Sequence, residues 1–232
     1  SDVKDSVRIS GIARKLCAAV GVLLLGWGVA AEDYVGSGVC RECHAPFYKL
    51  WATSFHGRAF RAYDRAFAEE FLSPQEGDIV VDDAKYRVHL GAGTGFMREH
   101  VSDEARDYPI AYALGGKNVF FFLTPLDRGR LQTLPVAYDV HQQAWASVAS
   151  LEAGHGSGHS GAGYPWTDRF FTFNTSCYGC HVSQLSTNYD AATDTYRTEW
   201  KEAGINCETC HGPGDEHIRV CREAPAGTTP ED

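Results

Sequence analysis

Positive charge is scarce in this chain of 232 residues: 21 Lys and Arg stand against 30 Asp and Glu, a formal net charge of −9. Nucleic-acid binding, which draws on a basic surface, is therefore not expected. Methionine occurs once. The apolar run at residues 16–31 has 16 members and falls short of the roughly 18–20 that a spanning helix needs. What is abundant is globular in kind: 44% hydrophobic and 12% aromatic residues exclude wholesale disorder and collagen-like structure. The length suits one sizeable domain, or one domain with an insert. Eight cysteines are the informative count, and six of them fall into three Cys-x-x-Cys pairs rather than a disulfide framework.

The N-terminus has the layout of a secretory signal peptide. Arg8, Arg14 and Lys15 precede the apolar run, and Val29, Ala30 and Ala31 supply small residues at the cleavage positions. A retained anchor is the alternative and would be the chain's only membrane contact. Cys17 precedes the apolar run, so it does not suit lipid attachment. Residues 1–31 are thus read as a signal peptide of an exported, periplasmic protein, an extracellular or anchored location being the variants. Removing its four basic and two acidic side chains takes the net charge from −9 to −11.

Each cysteine pair is followed at once by histidine: Cys40, Cys43, His44; Cys177, Cys180, His181; Cys207, Cys210, His211. Two thiols at this spacing add across the two vinyl groups of a haem, and the adjacent imidazole reaches the iron from one side. A four-cysteine zinc site from Cys177, Cys180, Cys207 and Cys210 has acceptable spacing, but zinc leaves the three histidines and the isolated first pair unexplained. A thioredoxin-like pair lacks its strand-then-helix setting. The pattern calls for three covalently attached c-type haems with iron. Haem c is attached outside the cytoplasm, so motifs and signal peptide agree independently. Cys221 is left as a single thiol, read as inert or as a partner in an intermolecular disulfide.

Seven histidines remain for the irons' second faces, and at most three are needed. Residues 45–72 keep apolar faces in a helical pattern, with Pro46 in the first turn. Along one continuous helix His44 and His56 would lie about 18 Å apart, so His56 would serve a different haem. His217, just past Gly212-Pro213-Gly214, is likewise better placed for a neighbouring haem. The third ligand stays open among His89, His100, His141, His155 and His159, the last two in a low-complexity loop.

Between His44 and Cys177 lie 132 residues without an attachment site. Strand signals at 79–81 and 86–90, the Phe120-Phe121-Phe122 run and a Pro125–Gly129 turn leading into 131–138 read as a β-hairpin-containing insert of about 78–140. The fold class expected is α+β. Helices surround the haem motifs of a domain at 32–221, and a polar tail follows at 222–232.

The flanking blocks carry a resemblance. Gly36-Ser37, the first motif, then Tyr48, Trp51, Ser54 and His56 are similar to the opening of a multihaem c-type cytochrome family. That family includes the tetrahaem electron acceptor of hydroxylamine oxidoreductase and multihaem cytochromes linked to tetratricopeptide repeats. Asn174, the second motif, Asn188-Tyr189-Asp190, Thr193 to Tyr196, Trp200 and the third motif with Gly212-Pro213-Gly214 and His217 resemble its later part. The middle hairpin around Gly129–Gln132 is similar as well, so the resemblance covers most of 34–217. It implies His56 and His217 as distal ligands. One departure concerns Pro165-Trp166, where several relatives place a histidine before the tryptophan.

Two functions follow as expectations. One is electron transfer by three haems, between redox partner proteins, with no catalytic residue of its own. The alternative is an oxidoreductase acting on a small nitrogen or sulfur compound at one five-coordinate haem.

Overall fold

The computed structural model describes residues 33–91, 94–154 and 164–225. The expected signal segment, Cys17, His155 and His159 lie outside these residues. By its contacts the chain divides at Glu32, and every described residue belongs to the unit from Asp33 onward.

Chain order sets a helical entry, a large β insert and a helical exit. The entry is α1 (Ser37–Cys40) and α2 (Ala45–Thr53), with Pro46 in the first turn of α2. The single long helix expected over 45–72 does not form. Ser54 is extended at the end of α2, and its hydroxyl donates to the Trp51 carbonyl at 2.7 Å. Gly57 then brings the chain back so close to the Trp51 carbonyl oxygen that any side chain there would collide with it. After this turn come β1 (Phe60–Ala62) and α3 (Arg65–Phe71). Asp64 caps α3, its carboxylate accepting the Phe67 N–H at 2.7 Å. Apolar periodicity runs through both helices, but the capping chemistry between them decides where each ends.

The insert is larger than a hairpin. Strands β2 (Ile79–Val81), β3 (Ala84–His89), β4 (Phe96–Val101) and β5 (Glu104–Pro109) form an antiparallel meander. Strands β6 (Tyr112–Gly115), β7 (Val119–Leu126), β8 (Arg130–Asp139) and β9 (Ala144–Ser147) come next, and β1 joins them in a second sheet ordered β1-β6-β7-β8-β9. Helix α4 (Val148–Gly154) closes this half. Inward alternation on β3 (Ala84, Tyr86, Val88) meets Met97, Phe120, Phe122, Leu134, Val136 and Tyr138 in one continuous core. The helices and both sheets make the protein α+β.

Strand β7 is buried on both faces. Phe120 and Phe122 enter that core, while Phe121 and Leu123 reach a second cluster with Phe60, Leu114, Phe173 and Val182. This is the ordinary alternation of a strand, and it holds through a register irregularity in the β7–β8 pairing between Phe121 and Leu123. Cys177 and Tyr178 pack against this second cluster. The Phe120–Phe122 run is therefore core, and its sheet is the wall on which the second motif rests. The exit consists of β10 (Val182–Ser183) paired with β11 (Glu202–Ala203), then α5 (Cys207–His211) and α6 (Asp215–Glu223). Among the described residues no helix is long and apolar enough to cross a membrane.

Candidate haem-binding site

The first and third motifs, 167 residues apart at their histidines, line one cleft of about 940 Å³. Its walls carry all four of their cysteines, Cys40, Cys43, Cys207 and Cys210, together with His44, His56, His211 and His217. Three local features place them. The Cys40 carbonyl accepts the His44 N–H at 2.9 Å, so the first motif is a helical turn. Asn206 caps α5, its side chain accepting the Thr209 N–H at 2.9 Å, so the third motif is a turn of helix as well. The Trp51 indole N–H donates to the Ile205 carbonyl at 2.6 Å and fastens α2 beside the third motif.

The rings of His44 and His217 lie with centroids 6.2 Å apart and planes within 24° of parallel. Two imidazoles binding one metal from opposite sides, each at a metal–nitrogen distance of about 2 Å, hold their ring centres about 6 Å apart. The pair thus has the span of a bis-histidine site, with His217 brought in by α6 from the far end of the chain. His56 enters the same cleft from the turn after α2. Its carbonyl accepts the Ile205 N–H at 2.9 Å, which ties that turn to the third motif.

The second motif lies elsewhere. Cys177 is half-buried against the β wall, and Cys180 is exposed. Burial pushes the Cys177 thiol above its usual range, a contact with Thr133 partly opposing the shift. Nδ1 of His181 lies 2.7 Å from the Ala59 carbonyl oxygen. A carbonyl only accepts, so Nδ1 carries the proton and Nε2 keeps its lone pair for a metal. Burial lowers the His181 pKa, with the Ala59 bond acting in the opposite sense.

The other described histidines lie within the insert. His89 stacks on Phe96 at 4.6 Å, His100 sits on β4 opposite Lys85, and the His141 ring meets the Asn118 side-chain oxygen at 3.1 Å. At the departure from the family pattern, the Trp166 indole donates to Glu99 at 3.0 Å. The carbonyl of Trp166 accepts from the fully buried Gln132 at 2.6 Å. Pro165 therefore precedes a residue anchored to β4 and β8. No group of three or more potential ligands suited to a bare metal ion occurs among the described residues, and the four cysteines considered for zinc do not come together.

Haem fits the cleft on grounds internal to the structure. Helix α2 has no buried residue, and Phe47 and Leu50 are 72% and 69% exposed. Phe47, Tyr48 and Trp51 line the cleft next to four thiols at the attachment spacing. A large apolar prosthetic group would cover these side chains.

Sequence reasoning missed two features here. Cys221 lines the cleft, with its sulfur 3.8 Å from both ring nitrogens of His217. The i, i+4 spacing on one helix was the available signal. Glu208, inside the third motif, is 3% exposed and accepts three backbone N–H groups. No local pattern announces that role.

Residues 137–212, which include the second and third motifs, match the family described as cytochrome c554 and c-prime. Among solved structures the chain is similar to the outer cell wall cytochrome OcwA, at 20% identity and a TM-score of 0.48. That likeness covers 85% of this chain and 35% of the other, so the chain spans about a third of that cytochrome's length. No curated protein matches. Together with the motifs, the family match supports a multihaem c-type cytochrome, with covalently bound haem c and electron transfer as its general role.

Proposed function

We propose that the chain is an exported triple-haem cytochrome that passes single electrons between redox partner proteins. The observation that carries this reading is the cleft in which two attachment motifs and four histidines converge. When bound, haem c supplies an iron that alternates between ferric and ferrous states. The chain's own residues do the rest. Cys40, Cys43, Cys207 and Cys210 would hold the groups of the cleft, and Cys177 and Cys180 would hold the third on the β wall. His44 and His217 would serve one iron of the cleft, and His211 with His56 the other. His181, oriented by the Ala59 carbonyl, serves the second motif. The net charge of −11 expected after signal cleavage suits a basic partner in the periplasm.

A second reading has its own observation. Among the described residues His89 stacks on Phe96 and the His141 ring meets Asn118, so neither is paired with His181 as His217 is with His44. An open position on that iron would admit a small nitrogen or sulfur compound, and the protein would be an oxidoreductase.

Low-temperature EPR of the oxidised protein, with haem quantified on the same sample, tests both. Three haems with three low-spin signals support the relay. One high-spin signal that survives in a His217→Ala variant beside a newly created one moves the second reading to the front. Fewer than three haems per chain overturns the triple-haem assignment.

A further inference from the structure

The segment leading into the first motif is held by carboxylates in succession. The Asp33 N–H donates to Asp215 at 3.1 Å. Val35 and Gly36 donate to the two oxygens of Glu208 at 2.9 and 2.8 Å. The Ser37 N–H and hydroxyl donate to Glu202 at 3.1 and 3.0 Å. Gly36 makes the bend this requires, at φ +85°. The acceptors all come from residues 202–215, on either side of and within the third motif.

Glu208 is the centre of this strap. Besides Val35 and Gly36 it accepts the Gly214 N–H at 2.9 Å, from the residue that opens the helix carrying His217. One carboxylate therefore touches the approach to the first motif, the third motif itself and the start of α6. Each hydrogen-bond partner of the Glu208 side chain is a backbone N–H, so both of its oxygens act as acceptors. The side chain is 3% exposed and lines the cleft. Glu202 stands behind it, accepting from the Asn206 amide at 2.6 Å. The second motif has a different setting, on the apolar cluster around Phe173 and Val182.

We propose that Glu208, supported by Glu202, is a positioning residue that also sets reduction potential. It clamps the first motif to the third, and its buried charge lowers the potentials of the two haems held in that cleft. The physical reason is Coulombic. A ferric haem carries one more positive charge than a ferrous one, and a nearby carboxylate shielded from water favours the more positive state. Reduction adds one electron from the partner or mediator to one iron, and no bond changes. The inference rests on the reading of this cleft as a two-haem site.

The test is an EPR-monitored redox titration of the haem-loaded wild type, Glu208→Gln and Glu202→Gln, with intact mass giving the haem count. Glutamine at 208 keeps an oxygen for two of the three N–H donors and removes the charge. In either variant the low-spin signals of the cleft should keep their positions while their midpoint potentials move upward, and the second-motif haem should stay where it was. A variant that carries its full haem and shows unmoved cleft midpoints overturns the proposal. Should Glu208→Gln fail to mature, Glu202→Gln removes the neighbouring carboxylate's charge from the same strap, and unmoved cleft midpoints in that variant overturn the proposal. A wild-type mass without haem on the first or third motif instead refutes the underlying site, so the two failures are distinguishable.

Discussion

Gly204 joins the second motif to the turn that carries His56, and replacing it by alanine should weaken both. Its N–H donates to the His181 carbonyl at 2.9 Å, and the next N–H, of Ile205, donates to the His56 carbonyl at 2.9 Å. Its φ is +81°, and a Cβ there would lie 2.7 Å from the carbonyl oxygens of both His56 and Gly57. The left-handed backbone alone costs a residue with a side chain about 1–2 kcal/mol. Relieving the overlap means giving up one of the two backbone bonds, roughly another 0.5–1.5 kcal/mol. The expected loss for Gly204→Ala is thus about 2–3 kcal/mol. Denaturant unfolding of the haem-loaded protein measures it as a fall in midpoint at constant slope. Asparagine tolerates the left-handed conformation better but brings the same Cβ, so Gly204→Asn should recover only part of the loss. Should alanine cost less than about 0.5 kcal/mol, or asparagine restore wild-type stability, the overlap argument is wrong.

Asp194 accepts hydrogen bonds from Tyr189, Arg169 and Arg128 at 2.6–2.8 Å, and these partners hold its pKa down to about 2. A carboxyl depressed on folding stabilises above its ordinary value, 3.8, and loses that contribution as pH falls toward 2; the stability gap between wild type and Asp194→Asn should close over that window, and a gap constant from pH 5 to pH 2 contradicts it. Gln132, fully buried, bonds the carbonyls of Trp166 and Asp168 and the hydroxyl of Thr172. Gln132→Ala strands all three and should cost about 3 kcal/mol in urea unfolding, a loss below about 1 kcal/mol showing that water replaces the amide.

What could be read from the sequence was whatever chemistry writes into adjacent residues. The Cys-x-x-Cys-His spacing is local, and so is the alternation of Ala84, Tyr86 and Val88, which leads to an α+β expectation. The break between α2 and α3 was hidden because Phe55, Phe60 and Phe67 continue an apolar rhythm across it, while the turn depends on one hydroxyl and one glycine. Strands β4 and β5 escaped notice because Arg98, Glu99, Arg106 and Asp107 dilute their alternation; the Arg98–Asp107 pair is a contact across strands, not along one. The strap is the extreme case. Gly36 and Glu208 are 172 positions apart, and a carboxylate inside an attachment motif looks like any polar spacer until the fold closes over it.

Helix α2 has a consequence for how such a protein matures. Nine residues are too few for an isolated helix to persist in water, where nucleation outweighs the gain from so short a run. With none of its side chains buried, α2 draws almost no stability from the rest of the polypeptide beyond the Trp51 anchor. The two large sheets, with their continuous core, lie at the opposite end of the stability scale. Before the cleft is filled, fraying of α2 therefore costs little, while Gly36 and Ser37 stay held by Glu208 and Glu202 and the β wall beneath the second motif stays shut. The exposed Cys43 is thus followed by a helix that opens locally in an otherwise folded chain, and ligation itself then converts that helix into one of the more persistent parts of the molecule.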